Sequence, residues 1–316
     1  KSLFICMEKT LFNRIKNKVK YKSKHKPTKQ TVKRFKAKIT TIQTKSNRYQ
    51  EWFNAQDLII IDEAHKAVFD KFFKYMNEKT YVIGATATPW RDSNQEPLEN
   101  FYSEIVEGAS IEELQEIGRL SVASYYGHKV DLSKVGTLAG EYDPKQLHQA
   151  YTEQKLYNGV IENYKLHTEG KKTLAFSASV ESSMQLLKAF TDAGYPAKHL
   201  DAKSPNRAEI LHWYKNMPNA ILCNVDILTT GFDDPETEVI VIYRAIRKSL
   251  PLYLQITGRG GRVTATKRKF VILDFGDNVK RFGWWHQKRK WTLKNAPKSV
   301  GVAPIKDCEE CGAMVP

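Results

Sequence analysis

Apolar positions in this chain come in short runs separated by helical repeats. Leu58–Ile61 is a run of four branched residues that stops at Asp62 and Glu63. A run apolar at every position predicts a strand covered on both faces, the pattern of a parallel α/β sheet. Further strands are predicted over 2–7, 38–44, 81–89, 172–179, 197–202, 220–225, 238–243 and 269–275. Between them fall helical patterns over 46–53, 64–76, 110–120 (stopped by Gly118), 146–167, 180–192, 205–216 and 251–257. This alternation predicts an α/β protein of doubly wound parallel sheets. The rhythm occurs twice, so the expected organisation is a first lobe over 1–120, a connection over 121–150, a second lobe over 151–295 and a tail over 296–316. A cleft between the halves is expected. Chemistry in such sheets sits beyond the carboxyl ends of the strands, where Asp62 and Glu63 fall.

Composition narrows the field. At 316 residues there is enough chain for two cores. The longest apolar runs are strand-length, too short to span a membrane. No charged-then-apolar leader opens the sequence, and the four cysteines are too scattered for a disulfide framework, so a cytoplasmic, reducing setting is expected. The net charge is +15, and residues 9–48 hold fifteen Lys and Arg without one acid. Lys16, Lys18, Lys20 and Lys22 lie in that stretch, interrupted by rings such as Phe12, Tyr21 and Phe35. A second basic region runs from Lys267 to Lys294 around Trp284 and Trp285. Such stretches suit a polyphosphate backbone, with rings that could stack on bases. A solvated charged loop is the plainer alternative for the first of them.

Two motifs carry the most chemistry. Paired acids at a strand end suit metal binding or water activation, although acids also favour a helix N-terminus. "QITGRGGR" (255–262) sets Arg259 and Arg262 three apart around two glycines. Guanidinium groups suit charge developing on a transferring phosphoryl; a basic surface turn is the alternative.

With "DEAH" (62–65), "GATATP" (84–89), "NVDILTTGFDDP" (224–235) and "QITGRGGR", the chain resembles the superfamily 2 helicases, in particular the type III restriction and DNA repair branch. A phage-type enzyme is a plausible relation. The resemblance spans nearly the whole chain and implies two RecA-like domains with ATP bound between them. By that resemblance Asp62 would hold Mg²⁺ through water, Glu63 would orient or deprotonate the attacking water, and His65 would link this site to the opposite domain. Thr86 and Thr88 would couple hydrolysis to the nucleic-acid face. Thr41, Gln43 and Thr44 of "TIQT" would touch the nucleic-acid backbone, as would Thr229 or Thr230. Gly231 and Asp233 would approach the nucleotide, Gln255 the γ-phosphate side, and Arg259 and Arg262 would complete the catalytic set. The implied activity is ATP-dependent movement on, or unwinding of, DNA, although no residue separates DNA from RNA.

Two features temper this. No G-x-x-x-x-G-K-[ST] phosphate loop occurs; "EGKKT" (169–173) has Lys165 where the first glycine belongs. The expectation is therefore an N-terminally incomplete helicase, inactive by itself. The alternatives are a restriction or defence motor subunit, or a non-catalytic nucleic-acid-binding module. Near the other end, Cys308 and Cys311 read as half of a zinc ribbon, with two further ligands expected beyond Pro316.

Overall fold

The computed structural model describes the backbone of residues 2–6, and residues 53, 56–91, 95–229, 231–295, 305–308 and 311–316. The basic stretch with Lys16, Lys18, Lys20 and Lys22, the segment with Thr41, Gln43 and Thr44, and Thr230 lie outside the described residues. The chain divides into two compact units, residues 1–109 with 290–296 and residues 110–289 with 297–316. Residues 121–150, read above as a connection, fall inside the second unit.

In the first unit, β1 (Ser2–Cys6), β2 (Leu58–Asp62), β3 (Tyr81–Thr86) and β4 (Glu104–Glu107) form a parallel sheet in the order β2-β3-β1-β4. Ile59, Ile61 and Val82 pack with Phe53, Phe72, Leu98 and Tyr102 into its core. Burial along β2 alternates, which corrects the expectation of a strand covered on both faces. Leu58 and Ile60 remain 50% and 46% exposed, and Tyr81, paired with Leu58, is 56% exposed. Ile59 and Ile61 point to the packed face, and the side chains between them point to the other. The helix expected over 64–76 is a 3₁₀ helix, Ala67–Tyr75. Phe69, Phe72 and Tyr75 recur every third residue, which the threefold 3₁₀ turn aligns along one packed edge.

The second unit carries the fuller sheet, with its six strands all parallel. It begins with α1 (Ile111–Glu116), closed by a Ser110–Glu113 capping box, and β5 (Val122–Gly127). A small hairpin, β6 (Thr137–Leu138) and β7 (Glu141–Tyr142), precedes α2 (Pro144–Glu153) and α3 (Leu156–Thr168). Next come β8 (Thr173–Ser177), α4 (Val180–Asp192), β9 (Ala197–Leu200), α5 (Arg207–Asn216) and β10 (Ile221–Asn224). The order closes with β11 (Val239–Tyr243), α6 (Leu250–Thr257), β12 (Lys269–Asp274) and α7 (Asn278–Phe282). The strand order is β5-β12-β11-β8-β10-β9. Here the continuous apolar runs do mean burial on both faces: every residue of β8, β10 and β11 is buried.

Two local features depart from the pattern reading. The single helix expected over 146–167 is two, because Lys155 adopts a left-handed φ of 52° and turns the chain between α2 and α3. β5 was not foreseen: it is an edge strand whose alternating burial leaves Val122 and Ser124 exposed, with no continuous apolar run to mark it.

The tail belongs to this unit. A hairpin of β13 (Lys306–Asp307) and β14 (Met314–Val315) lies against β5. Gly127 N–H donates to Gly312 O at 2.9 Å, and Lys280 pairs with Asp307. A Cβ on Gly127 would meet Met314 Cε at 2.3 Å. Gly127→Val is therefore expected to displace residues 305–316, read as faster amide exchange across β13 and β14 with the rest of the sheet unchanged.

Candidate functional site

Parallel pairing puts the ends of β2 and β3 side by side, with Asp62 in register with Ala85. Asp62 is exposed at the strand end and accepts the Glu63 amide on Oδ1 at 3.0 Å. Glu63 turns the chain with a left-handed φ of 54°. Ala64 is then buried, its amide donating to Ala85 O at 3.2 Å. The turn drives His65 into the protein, where its Nδ1 lies 2.7 Å from Thr86 Oγ1 and 3.7 Å from Glu63 Oε2. Thr86 Oγ1 also accepts the amide of Thr88 at 3.1 Å, and both threonines are buried. Four of the expected side chains thus form one connected turn. Burial pushes the His65 imidazole down to about 4, against the pull of Glu63, so it is neutral near pH 7.

Sequence reading missed Arg91. It is 3% exposed and donates through Nε to His65 O at 2.8 Å, while its two terminal nitrogens take both oxygens of Asp70 at 3.0 and 2.6 Å. A third acceptor is Glu96 O at 2.8 Å. This bidentate grip ties the Asp62–His65 turn to the 3₁₀ helix and to the segment after β3. The only signal was an arginine two residues after Pro89, with no pattern to mark it.

The second unit gathers the remaining residues. Thr229 is buried and donates to Asp226 O at 2.7 Å; Gly231 follows in a left-handed conformation, φ 74°. Arg259 spends its guanidinium on the carbonyls of Thr229 and Phe232, which fastens that loop to the end of α6. Arg262 Nε lies 3.3 Å from Asp233 Oδ1, and its backbone bridges to Leu120. Gln255 sits half-buried on α6. The two glycines between the arginines are fixed by packing: a Cβ would come within 2.2 Å of Phe270 at Gly260 and 2.3 Å of Trp285 at Gly261.

That packing removes Trp285 and Lys267 from the basic region read over 267–294, whereas Arg268, Lys269, Lys288, Lys290 and Lys294 stay exposed. Trp285 is 4% exposed, and Trp284 meets Tyr125 edge-on at 4.7 Å. Lys267 is buried against Pro235 O. Arg289 donates to the carbonyls of Phe282, Trp284, Trp285 and Gln287. These rings and cations build the unit's interior. Cys308 and Cys311 occupy the turn of the tail hairpin, and among the described residues no three His, Cys, Asp or Glu side chains gather as a metal site. Zinc therefore finds no support in this arrangement.

Residues 1–91 match the family described as type III restriction enzyme, res subunit, and residues 154–264 match the helicase conserved C-terminal domain. The chain belongs to the superfamily 2 helicases. It is 32% identical over 275 residues to a 51.5 kDa protein of Lactococcus phage (isolate 7-9), covering 82% of this chain and 59% of that protein. A Saccharomyces cerevisiae protein provisionally named ATP-dependent helicase IRC3 is 29% identical over 254 residues, 75% of this chain and 36% of that protein. The chain thus spans less than two thirds of the length of either relative. A fragment structure provisionally assigned as an HsdR subunit of a type I restriction enzyme from Vibrio vulnificus YJ016 superposes with a TM-score of 0.61. It is 20% identical, covers 84% of this chain and 51% of that one, and so shares the RecA-like helicase fold. No described helix is long and apolar enough to cross a membrane.

Two measurements check this geometry. Arg91→Ala strands Asp70 and the His65 carbonyl and is expected to cost about 3 kcal/mol or more, read from chemical denaturation of the first unit. The unfolded chain protonates His65 near 6.5, whereas the fold resists until about 4. The unfolded state thus binds more protons across that window, and this contribution to stability is lost as pH falls from about 6.5 to about 4. His65→Asn should flatten the fall in melting temperature over that range.

Proposed function

We propose that this chain is the motor portion of an ATP-dependent DNA helicase or translocase. The observation that carries the reading is the buried link from the exposed Asp62–Glu63 end of β2 through His65 to Thr86 and the Thr88 amide. In this reading ATP turnover at the carboxylates alters the Thr86–Thr88 turn, which passes the change toward bound DNA.

Asp62 and Glu63 fit a magnesium–nucleotide complex. They are hard oxygen donors at an accessible strand end, and magnesium takes one or two carboxylates with substrate phosphates supplying the rest. Asp62 would hold the ion through its water shell, and the bound ion would neutralise charge on the phosphates. Glu63 orients or deprotonates the attacking water. The neutral His65 ring, held by Thr86, keeps the turn that presents Glu63 in place.

Arg262 supplies positive charge to the transferring phosphoryl, with Gln255 on its γ-phosphate side. Arg259, engaged with the Thr229 and Phe232 carbonyls, shapes the loop carrying Gly231 and Asp233 rather than reaching outward. Thr41, Gln43, Thr44, Thr229, Thr230 and the lysines from Lys16 to Lys22 would contact DNA. The res-subunit match over 1–91 also supports service as the motor of a restriction or defence assembly, with cutting assigned to another component. Zinc at Cys308 and Cys311 has no place in this reading.

In the intact natural protein, Glu63→Gln is expected to lower DNA-stimulated ATP turnover at least about a hundredfold while ATP binding survives. Turnover at the parental rate would refute the assignment of Glu63. Replacing Lys16, Lys18, Lys20 and Lys22 by Ala should reduce the slope of log binding constant against log salt by about 3 to 4. An unchanged slope would remove that stretch from the DNA contact.

A further inference from the structure

The β6–β7 hairpin has no role in the reading above, and it lies outside both family-matched segments, 1–91 and 154–264. Its turn is costly. Ala139 and Gly140 both take left-handed φ values, 51° and 89°, which closes a two-residue loop of the type that suits twisted hairpins. Glycine adopts this freely, whereas in alanine it presses Cβ against the following carbonyl oxygen. The surroundings hold the hairpin in place. Gly136 N–H donates to Gln146 Oε1 at 2.7 Å, Asp143 N–H donates to Gly136 O at 2.9 Å, and the Arg281 guanidinium lies 5.7 Å over the Tyr142 ring.

What the strained turn presents is one carboxylate. Glu141 accepts the Arg247 amide at 2.6 Å on Oε2, and the Lys248 and Ser249 amides at 3.0 and 3.2 Å on Oε1. Arg247 closes the contact from its own side by donating to Gly140 O at 3.1 Å. These amides lead directly into α6, whose N-cap is Ser249. Backbone donors just before a helix have no partner within it, and a carboxylate placed on them is held by charge-assisted hydrogen bonds and by the helix dipole. The same helix carries Gln255 and ends where Arg259 grips the Thr229–Phe232 loop and the chain runs on to Arg262. Clamped at both ends, α6 has little freedom to slide or rotate.

We propose that Glu141 is a positioning residue for hydrolysis: from the β6–β7 hairpin it fixes the start of α6, and through α6 the placement of Gln255, Arg259 and Arg262. This rests on the motor reading, in which Gln255 and Arg262 act on the nucleotide and Arg259 holds the Thr229–Phe232 loop beside it. A group that sets geometry rather than binding should affect the chemical step, since small misplacements of positioned charge are expensive in rate.

The test uses Glu141→Ala, Glu141→Gln, Arg262→Ala and the Glu141→Ala/Arg262→Ala pair in the intact natural protein. ATP turnover is measured with DNA, alongside amide exchange at 247–249. Glu141→Ala is expected to speed exchange at those amides and to lower kcat by about tenfold or more, with the KM for ATP within about twofold of the parent. Glu141→Gln, which keeps an oxygen acceptor, should recover part of the loss, and it serves as the test if the alanine variant does not fold. Relative to Arg262→Ala, the paired variant should lose less than Glu141→Ala loses relative to the parent, because part of the effect of Glu141 passes through Arg262; general loosening of the fold would add in full. Faster exchange with parental kcat, while Arg262→Ala abolishes turnover, would overturn the positioning role and leave the motor reading standing. Parental turnover in Arg262→Ala would overturn both.

Discussion

One hydrogen bond in the first unit ties its chemistry to its fold: His65 to Thr86 across 2.7 Å of buried space. It exists because β2 and β3 are parallel neighbours, so the turn after β2 and the end of β3 meet, bringing together two residues twenty-one positions apart in sequence. An unpartnered imidazole or hydroxyl in that interior would cost about 1–3 kcal/mol, so each group requires the other. The left-handed Glu63 and the buried Ala64 follow from the need to turn the chain inward at once. Arg91 then secures the arrangement from behind by binding the His65 carbonyl and both oxygens of Asp70. The result is an exposed acidic tip on a rigid, buried support.

The second unit solves a matching problem with carbonyl groups. The loop of Thr229, Gly231 and Phe232 has no regular structure to hold it, and Arg259 supplies the missing partners through two backbone oxygens. The phenyl ring of Phe270 and the indole of Trp285 press so closely on Gly260 and Gly261 that no side chain fits at either position. The motif with its two guanidinium groups sits in a tightly packed corner, with Arg262 beside Asp233 and Arg259 bonded to backbone carbonyls.

How much of this was legible varied with the physics behind each signal. The buried strands 173–177, 221–224 and 239–243 were plain, because continuous branched residues and double-sided burial go together in a central parallel strand. The same reasoning failed at Leu58 and Ile60, whose side chains alternate away from the packed core that buries Ile59 and Ile61. Helix α4 was placed to the residue, whereas the break at Lys155 gave no warning because it uses no glycine or proline. The acid pair, the threonines and the arginines were visible as motifs. Arg91, Glu141 and the inward role of Arg289 were not, because each depends on particular backbone acceptors or donors, distant in sequence for Glu141 and close by for Arg289, and hydrophobic periodicity carries no mark of those.

The tail hairpin has a bearing on how the protein behaves among its own copies. β5 closes one side of the six-stranded sheet, and such a border offers a row of unused amides and carbonyls to any passing strand. Residues 312–314 occupy part of that row, with Gly312 receiving the Gly127 amide, Ala313 bridging Tyr126 and Met314 sealing the gap beside Gly127. The tail therefore acts as a guard against self-templating: where it stays seated, that part of the border is closed to strands from a neighbouring molecule.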